Sequence, residues 1–438
     1  MASSLLDSAK EAIDLAKKLG ANDVWASASR SNGVSFEMRN GVLERVEDST
    51  SRGLSIRLWV DGRYSVHNTN DLRPAILENF IKEAVAITRS LQKDPFRVIP
   101  EPSLFQGSST IQLDLVDSSI ASVSREERIE LLKKMNDRIQ GQDKVLSATA
   151  SVSTSQDQSA AASSNGFSGS FESTSMWIGA GVVLDEEGGK RPEEGYFGGG
   201  RHRSELPDPE VAAEMTLKLA RNRLGSSKGP TRKTTMVVHP RAAGSIVGRL
   251  LSSLDGGALQ QKRSFWADKV GKECVSPLLT IIDDPLVVRG LASRPFDSEG
   301  ISSKPLPIIE AGVLKNFYID TYYGKKLGMA PTTGSPSNRI LALGTKNMDE
   351  LIRDIDQGIL VTSWLGGNSD GATGDFSLGV RGHLIEDGAI GAPVSEMNVT
   401  GNLLSMFSDL RALGNDPWKY SPSKVPTLVF EDVSFSGV

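Results

Sequence analysis

Cysteine is nearly absent. Cys274 stands alone in 438 residues, so no intramolecular disulfide can form, and a reducing cytosol is the expected compartment. Histidine is scarce too. His67, His202, His239 and His383 are the full set, and none has another three to five residues away, which excludes the helical zinc motif that turns two imidazoles toward one ion. Each is expected to be a surface or packed histidine. No apolar run approaches the roughly 20 residues needed to span a bilayer. The first twenty residues alternate apolar and charged side chains, which predicts an amphipathic helix rather than a signal peptide. Basic charge is not in excess: 49 Lys and Arg face 54 Asp and Glu, a net charge of -5. The chain is therefore expected to be soluble, with no membrane partner and no direct nucleic-acid partner.

The length leaves room for two or three domains, each with its own core. Leu5, Leu6, Ala9, Ile13 and Ala16 recur at helical spacing, with Ser4 or Asp7 to cap the start and Gly20 to suit a left-handed stop. From Asp23 to Asn68 the period becomes two, with Asn40-Gly41 and Asp61-Gly62 as hairpin turns, predicting a meander of four or five antiparallel strands. Helices are predicted over Ala75–Leu91 behind Pro74 and from the capping box at Ser124 through Ile139. Val145–Ser153, Gln158–Ser164, Phe167–Ser173 and Met176–Leu184 read as strands whose small hydroxylated residues line a solvated face or a cavity. Asp208-Pro209 opens a helix through Leu224. Residues 226–235, SSKGPTRKTT, mark a boundary between a 1–229 domain and a 230–438 domain. In the second domain Met236–His239 is predicted as a strand and Ala242–Ser252 as a helix. From Leu278 onward the chain is strand and turn, with short helices at Met348–Ile355 and Asn402–Leu413. The predicted class is α+β: helices over antiparallel sheet, then a β-rich, barrel-like domain that leaves few raw sheet edges.

The stretch 357–404 carries three β-type runs broken by Gly-Gly and Asp-Gly turns. Its blocks GDFSLGVRGHLIEDG and PVSEMNVTGNLL, followed by Ala412-Leu-Gly-Asn-Asp416, resemble the C-terminal signature of the TldD/PmbA family. That family is named for modulation of DNA gyrase and consists of cytosolic metallopeptidases and their paired subunits. The resemblance implies an HExxxH zinc motif near the start of the C-terminal domain in the metal-bearing subunit, with a cysteine ligand in its tail. The matching place here is Gly244-Ser-Ile-Val-Gly-Arg249, with no histidine at either end, and Asp416–Val438 has no cysteine. Together with GGALQQKR and Ser264-Phe265-Trp266, this resembles the branch called PmbA or TldE, which lacks the metal motif. The resemblance thus implies no metal or other cofactor in this chain, with zinc only in a TldD-type partner. The implied partner is that metal-bearing subunit, in a heterodimer enclosing a chamber for unfolded or small peptides. Self-association as a metal-free, peptide-binding homodimer is the alternative.

Other candidates are weighed on their residues. Gly367-Asn-Ser369-Asp-Gly371 satisfies the G-x-S-x-G pattern, but a nucleophile elbow needs a helix after it, and ATGDFSLGV is strand-like. Ser369 reads as a turn residue. Gly195 and Gly198–Gly200 with Arg201 and Arg203 have no helix start to cradle a phosphate and read as an exposed loop, and Asp185–Glu194 as a solvated hairpin tip. The charges of Lys272 and Glu273 beside Cys274 cancel, so the thiol reads as inert; an independent serine or cysteine hydrolase using Ser369 or Cys274 is kept as a further alternative. An extended peptide can add to a strand edge through main-chain bonds that contribute about 0.5–1.5 kcal/mol each. Thr373, Asp375, Phe376 and Ser377 are the candidate substrate-binding residues, and no residue is assigned a catalytic or metal-binding role.

Overall fold

The computed structural model describes residues 4–107 and 109–438. Its first half uses one arrangement twice. The elements α1 (Leu5–Lys18), β1 (Asp23–Arg39), β2 (Val42–Val60), β3 (Arg63–Thr69) and α2 (Pro74–Ser90) are followed by α3 (Arg125–Ile139), β4 (Val145–Ser163), β5 (Ser168–Leu184), β6 (Glu193–Gly200) and α4 (Pro209–Arg221). The strands form one sheet in the order β3-β2-β1-β4-β5-β6. A two-fold axis between the antiparallel neighbours β1 and β4 would generate that order.

Three strands stand where the residue pattern predicts four or five between Asp23 and Asn68. Gly33 does not turn the chain: it pairs with Ser49 on one side and Ser155 on the other. The turns fall at Asn40-Gly41 and Asp61-Gly62, where all four residues have positive φ, as tight two-residue hairpin loops require. The four runs between Val145 and Leu184 are likewise the two strands β4 and β5. Pairing on both sides lets a strand run through polar residues that would end an isolated one.

The four helices cover one face of this sheet. α1 and α2 pack Ala9, Ala12, Leu77 and Ile81 on Val24, Ala26, Leu54, Ile56 and Leu58, while α3 and α4 pack Leu132, Met135, Ala213 and Leu217 on Phe36, Ala150, Val152 and Ile178. The Ser4 hydroxyl caps α1 at Asp7 N, and the Ser124 hydroxyl caps α3 at Glu127 N, each satisfying an otherwise unpaired helical donor. The opposite face shows the alternate side chains, among them Ser27, Ser31, Ser35, Thr149, Ser151, Ser153 and Ser155, all part-buried or exposed.

The second half opens with β7 (Arg232–Val238), α5 (Pro240–Leu250), α6 (Gly256–Gln260), β8 (Ile281–Asp284), β9 (Leu306–Glu310), β10 (Val313–Leu314), α7 (Thr321–Leu327), β11 (Asn338–Leu341) and α8 (Met348–Ile352). It continues with β12 (Gln357–Ser369), β13 (Asp375–Glu386), β14 (Ala389–Asn402), α9 (Leu403–Ser408), β15 (Leu410–Leu413), β16 (Ser423–Lys424) and β17 (Leu428–Ser436). The run Asn402–Leu413 is thus a short helix followed by a strand: Leu410, Ala412 and Leu413 pair with β17. β14, β13, β12, β7 and β17 lie side by side, and Asn398–Thr400 pair again with Ser434–Ser436 of β17. That last pairing closes a five-stranded barrel and removes the exposed edges of those strands. A second, mixed sheet runs β10-β9-β8-β11-β16. One continuous core joins Ala243, Ile246, Val247 and Leu250 of α5 to Met236, Ile359, Leu378, Val399 and Phe430 of the barrel. Gly382 in β13 has a steric reason: a Cβ there would stand 1.7 Å from the Leu360 carbonyl oxygen. No helix among the described residues is long and apolar enough to cross a membrane.

Candidate functional site

α5 begins behind His239, whose Nδ1 accepts from Arg241 N at 3.1 Å, with Pro240 at the first helical position. Burial pushes the His239 imidazole down to about 4, helped by the neighbouring Arg241 guanidinium and opposed by Asp416 and Asp349. Further along, a Cβ added at Gly244 or Gly248 would meet no atom within 4 Å, so packing does not demand glycine at either place. Arg249, in the last turn, donates from Nη1 to Ser369 Oγ at 3.1 Å and ties α5 to the end of β12. A glycine and a guanidinium supply no metal ligand. Among the described residues no group of three or more His, Cys, Asp and Glu is placed to hold an ion. The zinc implied by a peptidase resemblance therefore does not fit the residues of this chain.

Beside that contact lies a groove of about 970 Å³, bounded by Ser252, Ser253, α6, Tyr323 of α7, the β12–β13 turn and the first residues of β13. Of the run KRSFW, Arg263 lines the groove and the residues after it hold the segments around it. Ser264 Oγ donates to Ser253 O at 2.6 Å, Phe265 N to Gly371 O at 2.9 Å, and Trp266 Nε1 to Leu250 O at 2.7 Å. Ser253 is 3% exposed and lines the groove, yet its hydroxyl has no partner among the described residues. A buried hydroxyl without a partner costs free energy.

Asp375, Phe376 and Ser377 line this groove. Thr373 stands behind them in the turn, where its hydroxyl accepts from Asp375 N and its carbonyl from Asn402 Nδ2. Asn402 Nδ2 also donates to Asp375 Oδ1 at 2.9 Å. The Asn402 amide, then the Thr373 hydroxyl, hold the Asp375 carboxyl below the usual carboxylate range. Strand addition here must be corrected. Phe376 pairs with Ser369 of β12 on one side and Gly401 of β14 on the other, so β13 has no free edge, and side chains on its groove face would have to make the contacts. Phe376 is itself mostly committed to the barrel core. Ser253, Arg263 and Tyr323, which also line the groove, come from distant segments; Arg263 ends the GGALQQKR block, while nothing in the local sequence marks Ser253 or Tyr323.

Ser369 ends β12, and the next element is β13, so the turn between them is no nucleophile elbow. Its hydroxyl meets Arg249 rather than an imidazole, and the histidines are engaged elsewhere: His67 with Ser65 Oγ, His202 with Asp114 O and His383 with Asn222 O. Burial pushes the Cys274 thiol up, away from the thiolate a nucleophile requires. The glycines 195–200 form strand β6 and not an exposed loop. Gly198–Gly200 are buried, and a Cβ on Gly198 would stand 2.6 Å from the Tyr420 ring.

Three family models match the chain: PmbA/TldA metallopeptidase domain 1 over residues 26–88, the central domain over 118–224 and the C-terminal domain over 231–437. Metalloprotease PmbA of Escherichia coli O157:H7 is 28% identical over 435 residues, covering 98% of this chain and 96% of that one. A crystal structure from Bacteroides thetaiotaomicron, of a protein named as a modulator of DNA gyrase, shares 38% identity at a TM-score of 0.96, covering 99% of this chain and 98% of that one. TldE from Thermococcus kodakarensis shares the fold at a TM-score of 0.84 and 19% identity, covering 98% and 100% of the two chains. A barrel with α5 packed against it, matched along nearly its whole length, identifies this chain as a member of the PmbA/TldD metallopeptidase family.

Proposed function

We propose that this chain is the metal-free subunit of a paired peptidase, of the PmbA or TldE type, and that its groove forms one wall of a chamber in which a TldD-type subunit carries the zinc and the bond-breaking step. The observation that carries the reading is on α5. The turn that resembles the metal motif bears Gly244 and Arg249, with room at Gly244 for a larger side chain and Arg249 committed to Ser369. The peptide lies in the groove as an extended chain and meets Asp375, Ser377 and the unpartnered Ser253 hydroxyl. A handful of such bonds, at about 0.5–1.5 kcal/mol each, holds a peptide only weakly, and enclosure by the second subunit supplies the remaining affinity. The test is to purify the chain alone and together with a TldD-type subunit from the same genome, then measure native mass, bound metal and cleavage of an unfolded peptide. A stable complex with metal and cleavage only in the pair is the expected result. Stoichiometric zinc and cleavage by the lone chain would overturn it.

A further inference from the structure

A concentration of half-buried positive charge lies outside the groove. A cleft of about 750 Å³ opens between the helix-free face of the first sheet and the barrel. Its floor is Gly179 and Gly181 of β5 beside the hydroxyls of Thr149 and Ser151. Its wall is Arg223 after α4, Arg241 in α5 and Arg381 in β13, so both halves of the chain contribute. Two of these guanidiniums, Arg223 and Arg381, flank one inner carboxylate. Glu194, with 15% of its side chain exposed, lies 3.4 Å from Arg223 and 2.9 Å from Arg381. Glu37 and Glu193 lie at the margin. Burial depresses the ionisation of Arg223 and Arg241, and Arg381 adds repulsion to both.

Part of this charge has a structural use. Arg241 donates to Gly195 O at 2.7 Å and Arg223 to Glu193 O, blunting the outer edge of β6. A guanidinium carries five N–H donors, however, and these bonds leave most of them free. Arg381 Nε is buried without a partner among the described residues. The Arg241 guanidinium also lies against Tyr196 and Trp418, 5.7 and 5.6 Å from their ring centres, and these two contacts limit its freedom before any anion binds.

The position along β13 indicates which oxyanion. Ser377 in the groove and Arg381 in the cleft are four residues apart on one strand. The register shifts in its pairings fall on the neighbouring strands, so the two side chains share one face. About 13 Å separates them, the reach of four residues of extended peptide. We infer that the cleft binds the carboxylate of a short peptide whose preceding residues lie in the groove, with Arg223, Arg241 and Arg381 as its donors. This rests on the reading that the groove holds peptide.

The experiment is calorimetry on the chain with its partner subunit, at low and at physiological salt. The probes are an unstructured hexapeptide as free acid, the same peptide amidated at its C-terminus, and inorganic phosphate. The free acid is expected to bind about tenfold more tightly than the amide. Arg381→Gln should abolish that preference. Glu194→Gln, which removes the competing carboxylate and keeps every guanidinium, should enlarge it, a direction that a merely structural arginine cluster would not produce. Equal binding of acid and amide in the wild type and in both variants overturns the inference and leaves the groove reading standing. Failure of both peptides to bind overturns both readings. Phosphate binding more tightly than the free acid overturns the assignment to a peptide carboxylate.

Discussion

His239 couples the stability of α5 to pH, and its buried imidazole sets both the sign and the size. With an ordinary value near 6.5 and a folded value of about 4, the folded chain holds the ring neutral while the unfolded chain takes up a proton below 6.5. The folded value is the lower one, so this contribution is full above pH 6.5 and is lost as pH falls toward 4. A gap of this size corresponds to about 3 kcal/mol. The neutral ring also has a task, since Nδ1 accepts from Arg241 N, and a proton there would abolish the cap. His239→Asn keeps a side-chain acceptor at the N-cap and removes the titration, whereas His239→Ala should lie about 1 kcal/mol below His239→Asn at every pH. With four histidines in the chain, an imidazole proton spectrum resolves each ring, and the signal missing from His239→Asn assigns this one. Urea midpoints of wild type and His239→Asn should converge or cross as pH drops from 7 to 4, the wild type losing more. A His239 ring that titrates near 6.5 in the folded chain, or midpoint curves that stay parallel, would refute the reasoning.

Three further substitutions, at two positions, probe the residues that support the groove. Trp266→Ala should cost about 3–5 kcal/mol, since the indole is fully buried and its N–H satisfies Leu250 O. Trp266→Phe, which leaves that carbonyl unpaired, should cost about 1–3 kcal/mol, and thermal unfolding separates the two. Asn402→Asp keeps the acceptor that caps α9 at Leu404 N but replaces the amide donor to Asp375 with a second carboxylate. The Asp375 carboxyl should then titrate higher than in the wild type, as carbon-13 spectra of the side-chain carboxyls would report, and by the same linkage the variant should be less stable at neutral pH than the wild type.

Local chemistry made much of this fold legible. The capping serines Ser4 and Ser124, Pro74 and the turns at Asn40-Gly41 and Asp61-Gly62 act within a few residues of themselves, and the elements they bound stand where the pattern places them. Strand length was not legible. Gly33 looks like a break until β2 and β4 pair with it on both sides, and the glycines of β6 look like a loop until Tyr420 and Trp177 pack over them. Those neighbours are brought by tertiary structure, which period and propensity do not encode. The same limit governs the site. Asp375, Phe376 and Ser377 could be singled out because they sit in the family signature, whereas Ser253, Arg263 and Tyr323 meet them only across the groove. The four arginines that line the cleft, spread from Arg191 to Arg381, carry no shared motif.

The glycines of α5 bear on how two chains of one fold could divide a reaction. If Gly244 and Gly248 were imposed by packing, the missing imidazoles would be a by-product of architecture. Instead a Cβ at either position meets open space, while each glycine costs the helix about 1 kcal/mol relative to alanine. The helix holds its place through its other face, where Ala243, Ile246, Val247 and Leu250 are fully buried, and through Arg249, which reaches across to Ser369. The apolar face that docks α5 and the open face that would present ligands are therefore independent, and one can change without the other. Under the proposed pairing, a subunit that gives up its metal residues keeps the barrel and the arginine cleft, which are built from other positions, while Arg249, at one of the changed positions, adds a bond to Ser369 at the groove.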